Sequence, residues 1–413
     1  MRTRMKLAAT SMLAVATLVA TPERPLAQNP PLAQNSGRDA AVANESAERR
    51  GLSILDILRL EEIVNPLEAP STSDVVADDQ PSGLSPGINT RYGIVAIPTT
   101  RAFGTFGIPY TTTRVQDGNQ SAGGTTKANR QSTTYPYRAV GKLTFSAGYC
   151  SASLIRRSVI VTAAHCIQNF GSGGNIFSGF RFIPGHYGAA GATAAQIAPH
   201  GTWNWATLVR PATWANGTDI GAGAARDNDL AVIALHKNGA GQFIGDIVGY
   251  FSYGWNNYSF VTSPKTGNLH TAAVSTLGYP ALMDGGLIMQ RTDGPAYTTT
   301  VAGAGQLWQG SNLTGGSSGG PWVVNFRSRA ATLSGGAVVG TASVMAVVGV
   351  TSWGSADPNA PKDNYSSQFR QNARYPNANY GGFGAGNIAS LLNTLCSAAA
   401  PGGGTFSSQG YCN

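Results

Sequence analysis

The sequence predicts an all-β protein, and three observations carry that expectation. Glycine is abundant, at 53 of 413 residues. Short β-branched runs such as Val159-Ile160-Val161-Thr162 recur, and long amphipathic segments at helical spacing are scarce. Branched side chains fit a pleated surface, and many short strands need many tight turns, where glycine is favoured.

At the N-terminus, Arg2, Arg4 and Lys6 precede an apolar stretch of 14 residues from Leu7 to Ala20. That is too short to span a bilayer and has the make-up of a signal peptide, read here as residues 1–27 with Ala20 as an alternative cut. Residues 28–114 contain no cysteine and carry the acidic cluster Asp74, Asp78 and Asp79 among several prolines. This stretch reads as a propeptide. Within it, Leu52–Leu60 is expected to form a short helix that docks on the folded remainder, and Pro25–Asn29 recurs as Pro31–Asn35, a linker pattern. Residues up to Arg114 hold 11 basic and 11 acidic groups, so the entire net charge of +8 lies in the part expected to mature, 115–413. Its positive residues are scattered, with no run longer than Arg156-Arg157, which argues against a nucleic-acid partner. The chain is expected to be secreted, free of the membrane once the signal is removed, and monomeric. Its four cysteines then imply two disulfides with three possible pairings.

The most informative segment is Gly315-Gly316-Ser317-Ser318-Gly319-Gly320-Pro321. Glycines on both sides open backbone conformations closed to other residues, and Pro321 stops a helix from continuing, so a serine is presented on a turn. A flexible linker has the same composition. As a nucleophile, serine needs a base, usually a histidine held by a carboxylate. The five histidines, His165, His186, His200, His236 and His270, all precede Ser318. That excludes an α/β-hydrolase elbow, whose histidine follows the serine. A subtilisin-like order of Asp117, His165 and Ser318 places the serine at a helix start, which Gly319-Gly320-Pro321 would break. The order His, Asp, Ser remains. His165 follows the run Val159–Thr162, and Asp229 is the last polar residue before the apolar Leu230–Leu235, with Asp227 as the fallback. His186, His200, His236 and His270 have no carboxylate or cysteine at metal-ligand spacing, so neither metal nor cofactor is expected.

These segments resemble chymotrypsin- and trypsin-like serine peptidases. The likeness rests on Thr162-Ala163-Ala164-His165-Cys166, on Cys150 lying 16 residues before Cys166, on Asp229 leading a strand, and on Gly316-Ser317-Ser318-Gly319-Gly320-Pro321. Tyr135–Leu143, Phe182-Ile183-Pro184-Gly185, Gly278-Tyr279-Pro280 and Ser318–Trp322 point to the V8-like, glutamyl-endopeptidase-like branch, over about Thr133 to Gly354. The resemblance implies two six-stranded antiparallel β-barrels with a C-terminal helix. It implies a secreted endopeptidase, made as a precursor, with a triad of His165, Asp229 and Ser318 and an acyl-enzyme intermediate. The oxyanion hole would be the backbone of Gly316 and Ser318, and the substrate pocket would be bounded by Asn312, Thr351, Ser352, Trp353 and Gly354. Cys150 would pair with Cys166, leaving Cys396 for Cys412. Partners would be protein or peptide substrates and the chain's own propeptide.

Departures from the family patterns sharpen these expectations. Ser317 stands where trypsin-like zymogens carry the aspartate that pairs with the new N-terminal amine, so that switch is not expected. Asn312 replaces an acidic pocket base, which removes support for Arg or Lys preference. Thr351 stands where Glu-specific members carry a histidine, and a Glu side chain desolvated without a cation is costly. A neutral or broad preference follows, although no glutamate occurs after Glu68, as self-resistance in a strictly Glu-specific enzyme would favour. The alternative from another class is a peptidase-fold binding module without catalysis. Two elements remain. Ala330–Ala356 is uncharged but interrupted by glycines, which predicts strands rather than a membrane helix. Near the end, Asn387 is expected to cap a helix with Ile388, Leu391, Leu392 and Leu395 on one face.

Overall fold

The computed structural model describes residues 104, 108–115, 131–189, 191–262, 264, 268–327, 344–354 and 362–413. The expected signal peptide, the helix at 52–60 and most of the expected propeptide lie outside the described residues, as does 330–343.

Fifteen strands follow one another along these residues. β1 (Thr111–Arg114) is followed by β2 (Val140–Phe145), β3 (Gly148–Arg156), β4 (Val159–Thr162), β5 (Arg181–Pro184), β6 (Trp203–Val209) and β7 (Ala231–Leu235). Strands β2 to β7 close into an antiparallel barrel in the order β2-β3-β4-β7-β6-β5. Its interior holds Leu143, Leu154, Ile160, Phe182 and Ile233. The remaining strands are β8 (Ser252–Tyr253), β9 (Val261–Thr262), β10 (His270–Gly278), β11 (Gln290–Val301), β12 (Ala304–Gly310), β13 (Pro321–Val324), β14 (Ala346–Gly354) and β15 (Asp363–Gln368). Here β10 pairs both β11 and β13, and the ladder β10-β11-β12-β15-β14-β13 returns on itself, making a second six-stranded antiparallel barrel. The all-β double barrel is therefore as the sequence predicted.

The period of two along a strand divides the second barrel's side chains between two cores. On β13, Val323 faces the cluster between the barrels while Trp322 and Val324 fill the barrel itself; on β14, a bulge opposite Trp322 and Val323 shifts the alternation, so that Val347 and Val350 face the first and Ala346 and Val348 the second. The inter-barrel cluster also gathers Val161, Val232 and Leu277, so the strand ends that bear the site meet there. β14 confirms a strand within the uncharged segment, and among the described residues no helix is long and apolar enough to cross a membrane.

The C-terminal helix, Gly386–Ser397, packs against β6 and β7 and buries Ile388, Leu391, Leu392 and Leu395. Its start differs from expectation. Ala385 holds the cap position without a side-chain hydrogen bond, and Asn387 sits inside the first turn. The Asn387 amide is fully buried and is taken by other groups: Nδ2 donates to Gln368 O at 3.0 Å and to Asn228 Oδ1 at 3.2 Å, while Oδ1 accepts the Arg370 and Ile388 N–H groups. Tertiary demand for that amide outweighs local capping. Cys396 and Cys412 pair, tying the helix end to the glycine-rich tail. At the other terminus, β1 pairs with β11, and Val115 is buried with its N–H on Met289 O at 2.8 Å. The boundary expected after Arg114 thus falls at the end of a strand laid on the second barrel.

Candidate active site

His165 owes its position to two constraints. β4 ends at Thr162, and a 3-10 turn over Ala164–Cys166 carries the imidazole away from the strand axis. The Cys150–Cys166 disulfide then fastens that turn to β3. Asp229 lies just before β7, which pairs with β4 so that Thr162 faces Ala231. Adjacent strand ends therefore bring the two side chains together. Asp229 is 1% exposed, and its Oδ1 accepts the His165 backbone N–H at 2.9 Å while Oδ2 meets ring Nδ1 at 2.7 Å. Ser352 Oγ donates to the same Oδ2 at 2.6 Å. The fallback Asp227 turns away, accepting Arg370 Nη2 at 2.8 Å and the Gly305 N–H at 2.9 Å.

The serine turn is pinned to the strand that bears the disulfide. Ser151 N–H donates to Ser318 O, and Ser151 Oγ donates to Gly316 O, both at 2.8 Å, while the Tyr279 N–H donates to that Oγ at 3.0 Å. Thr162 Oγ1 donates to Ser151 O at 2.9 Å, so the histidine strand and the serine turn share one polar residue of β3. Gly319 closes the gap. A Cβ there would lie 2.0 Å from Thr162 Oγ1 and 2.4 Å from Ser151 O, and its φ is +77°. On the other side, Gly319 N–H donates to Thr351 O at 2.7 Å and Thr351 N–H to Gly320 O at 2.8 Å, binding the turn to β14. Ser317 holds the loop locally through its Oγ and N–H, both donating to Thr314 O, at 2.5 and 3.1 Å. The Gly316 and Ser318 N–H groups donate to no partner among the described residues.

A trypsin family profile matches residues 123–371, well over half of the chain. The chain belongs to the trypsin family of serine peptidases. It is 29% identical over 198 residues to a glutamyl endopeptidase of Bacillus licheniformis, covering 48% of this chain and 52% of that one. It thus spans about half the length of that curated relative. Among solved structures it is similar to the protease Anisep of Arthrobacter nicotinovorans, at 22% identity and a TM-score of 0.42, covering 62% of this chain and 94% of that one. A Glu endopeptidase solved in complex with MPD is similar at 20% identity and a TM-score of 0.40, covering 57% of this chain and 88% of that one.

Within this trypsin-family site the side chains of the expected pocket residues are held by defined contacts. Asn312 Oδ1 accepts a hydrogen bond from Thr112 Oγ1 of β1 at 2.9 Å, so a residue before the expected cut reaches the expected pocket base. Thr351 Oγ1 accepts the Trp322 indole N–H at 3.0 Å. Trp353 stacks on Tyr365 with ring centroids 3.8 Å apart. Ser352, expected as pocket wall, holds Asp229. Cys150, His165 and Cys166 cluster closely, but the disulfide consumes both sulfurs and leaves no thiolate for a metal.

Behind Gly316 lies a buried polar group that sequence reasoning missed. Tyr149 packs against Gly316, where a Cβ would come 2.5 Å from its ring, and Lys142 Nζ sits 3.7 Å from the Tyr149 ring centroid while donating to Gly286 O at 2.9 Å. His186, beside Tyr279, has its imidazole pKa pushed down to about 4 by burial and by the Lys142 charge. The available signal was a lysine, Lys142, set between Gly141 and Leu143 in a strand that otherwise begins apolar.

Proposed function

We propose that this chain is a secreted serine endopeptidase in which Ser318 attacks the peptide carbonyl with His165 as base and Asp229 as the orienting carboxylate. The observation that carries this reading is the two-point grip of Asp229 on His165. With the carboxylate accepting, Nδ1 carries the ring proton and Nε2 is left as the base. His165 Nε2 takes the Ser318 Oγ proton as Oγ bonds to the carbonyl carbon, and returns it to the leaving amine as the C–N bond breaks. Water then repeats the sequence on the acyl-enzyme, releasing the acid and restoring Ser318. The developing oxyanion is received by the Gly316 and Ser318 N–H groups, a contribution of roughly 3 kcal/mol per donor in such sites. Those two groups lack intramolecular partners among the described residues, which supports their assignment.

In the same reading, residues 1–27 direct export and 28–114 are removed on maturation. Arg114-Val115 is the final bond cut, and disulfides fit that oxidising route. The trypsin-type amine switch is replaced by the Ser317–Thr314 hydrogen bonds, which hold the loop without an aspartate. The experiment is Ser318→Ala. Turnover of peptide substrates should vanish while secretion, folding and disulfides persist, and N-terminal sequencing of the trapped product should locate the cut. Undiminished peptidase activity in that variant would overturn the assignment.

A further inference from the structure

The pocket residues expected from the sequence face each other across a gap, with Asn312 on the segment that leads to Ser318 and Thr351–Gly354 at the end of β14. Asn364 lies across that gap. It is the cross-strand partner of Gly354 on β15, so its side chain rises on the face where Gly354 would carry its own. From there the amide reaches the opposite segment: Nδ2 donates to Leu313 O at 3.0 Å and to Asp363 O at 3.2 Å. A Cβ on Gly354 would fall 2.1 Å from that Nδ2, so the space beside Gly354 is occupied by the amide. Asn364 is 2% exposed, and its Oδ1 is buried without a hydrogen-bond partner among the described residues.

We infer that Asn364 is the floor of a truncated primary pocket, and that this chain cleaves after residues with short, uncharged side chains: glycine, alanine and serine. The inference rests on the peptidase reading of Ser318. A long side chain has to displace the Asn364 amide and break its bond to Leu313 O. A glutamate fares worse, because its charge would be desolvated beside a neutral amide. A lysine or arginine would bring its charge to a neutral amide, since the Asp363 carboxylate lies on the opposite face, against Gly104.

The test is a peptide library varied only at the residue before the scissile bond, read as kcat/KM for the wild type, Asn364→Gly and Asn364→Leu. Each preparation is titrated with a serine-directed fluorophosphonate so that rates refer to intact sites. The wild type should prefer Ala and Ser over Phe, Leu, Glu and Arg by about tenfold or more. Asn364→Gly should move the preference toward Leu or Phe by a similar factor. Asn364→Leu, which fills the space without the hydrogen bond, should keep the preference for small residues. Efficient wild-type cleavage after Glu, Arg or Phe, unchanged in Asn364→Gly, would overturn the inference while a positive titration left the peptidase reading standing. Absence of any fluorophosphonate adduct in folded wild type would overturn both.

Discussion

Asp229 grips His165 at two points, Oδ1 on the backbone N–H at 2.9 Å and Oδ2 on ring Nδ1 at 2.7 Å. The backbone contact fixes where the turn sits, and the ring contact fixes how the imidazole is rotated and which nitrogen bears its proton. A single carboxylate thus sets both position and tautomer, and it does so while almost fully buried. Several variants separate these effects.

Asp229→Asn keeps the shape but replaces one acceptor by an N–H₂ donor. Facing that donor, Nδ1 becomes the acceptor and Nε2 carries the proton, so the base role proposed for His165 is lost. The expected result is a fall in kcat of about 10⁴-fold with little change in KM. Single-turnover kinetics checks it, with the near-ultraviolet spectrum confirming the native fold.

Ser352→Ala removes the third hydrogen bond to the same carboxylate. The buried charge loses one donor and keeps two, which costs about 1–3 kcal/mol of stability. Urea unfolding measures the stability loss. Activity should fall less than in Asp229→Asn, because the tautomer is unchanged.

Gly319→Ala tests the contact between the serine turn and the histidine strand. The added methyl meets Thr162 Oγ1 and Ser151 O at a φ of +77°. Backbone strain and overlap together predict a loss of about 3 kcal/mol or more, or failure to accumulate folded protein. A melting temperature equal to wild type would show that the turn does not pack as described.

Much of this was legible in the sequence, and the limits are physical. The β-branched runs gave strands such as β4 and β7, and the spacing of cysteines and the order His165, Asp229, Ser318 pointed to residues that lie together or on shared supports. What escaped was long-range and polar. Ser352 was expected in the pocket wall, and nothing local signals that its hydroxyl turns 123 positions back in sequence to Asp229. Asn387 looked like a cap because local chemistry favours it, whereas burial beside Asn228 and Gln368 recruits its amide elsewhere. Asn364 carried no signal at all, since its meaning depends on the strand pairing that sets it against Gly354.

The buried His186 makes stability depend on pH. Its pKa is about 4 in the folded protein, held down by burial and then by Lys142, against an ordinary value of 6.5. Between those values the unfolded chain binds a proton that the folded one refuses, so stability is full above about pH 6.5 and declines as pH falls toward 4. The loss from this group approaches about 3 kcal/mol at the lower end. Urea midpoints measured from pH 7.5 to 4 should fall steeply in wild type and less so in His186→Phe. Parallel curves for the two proteins would contradict the assignment.

The most direct measurement is fluorophosphonate labelling of the mature protein followed by mass mapping of the adduct. A triad of His165, Asp229 and Ser318 predicts one adduct per chain, on Ser318, with labelling abolished in His165→Ala although that variant remains folded. An adduct on any other serine, or labelling of Ser318 that persists undiminished without His165, would contradict the account.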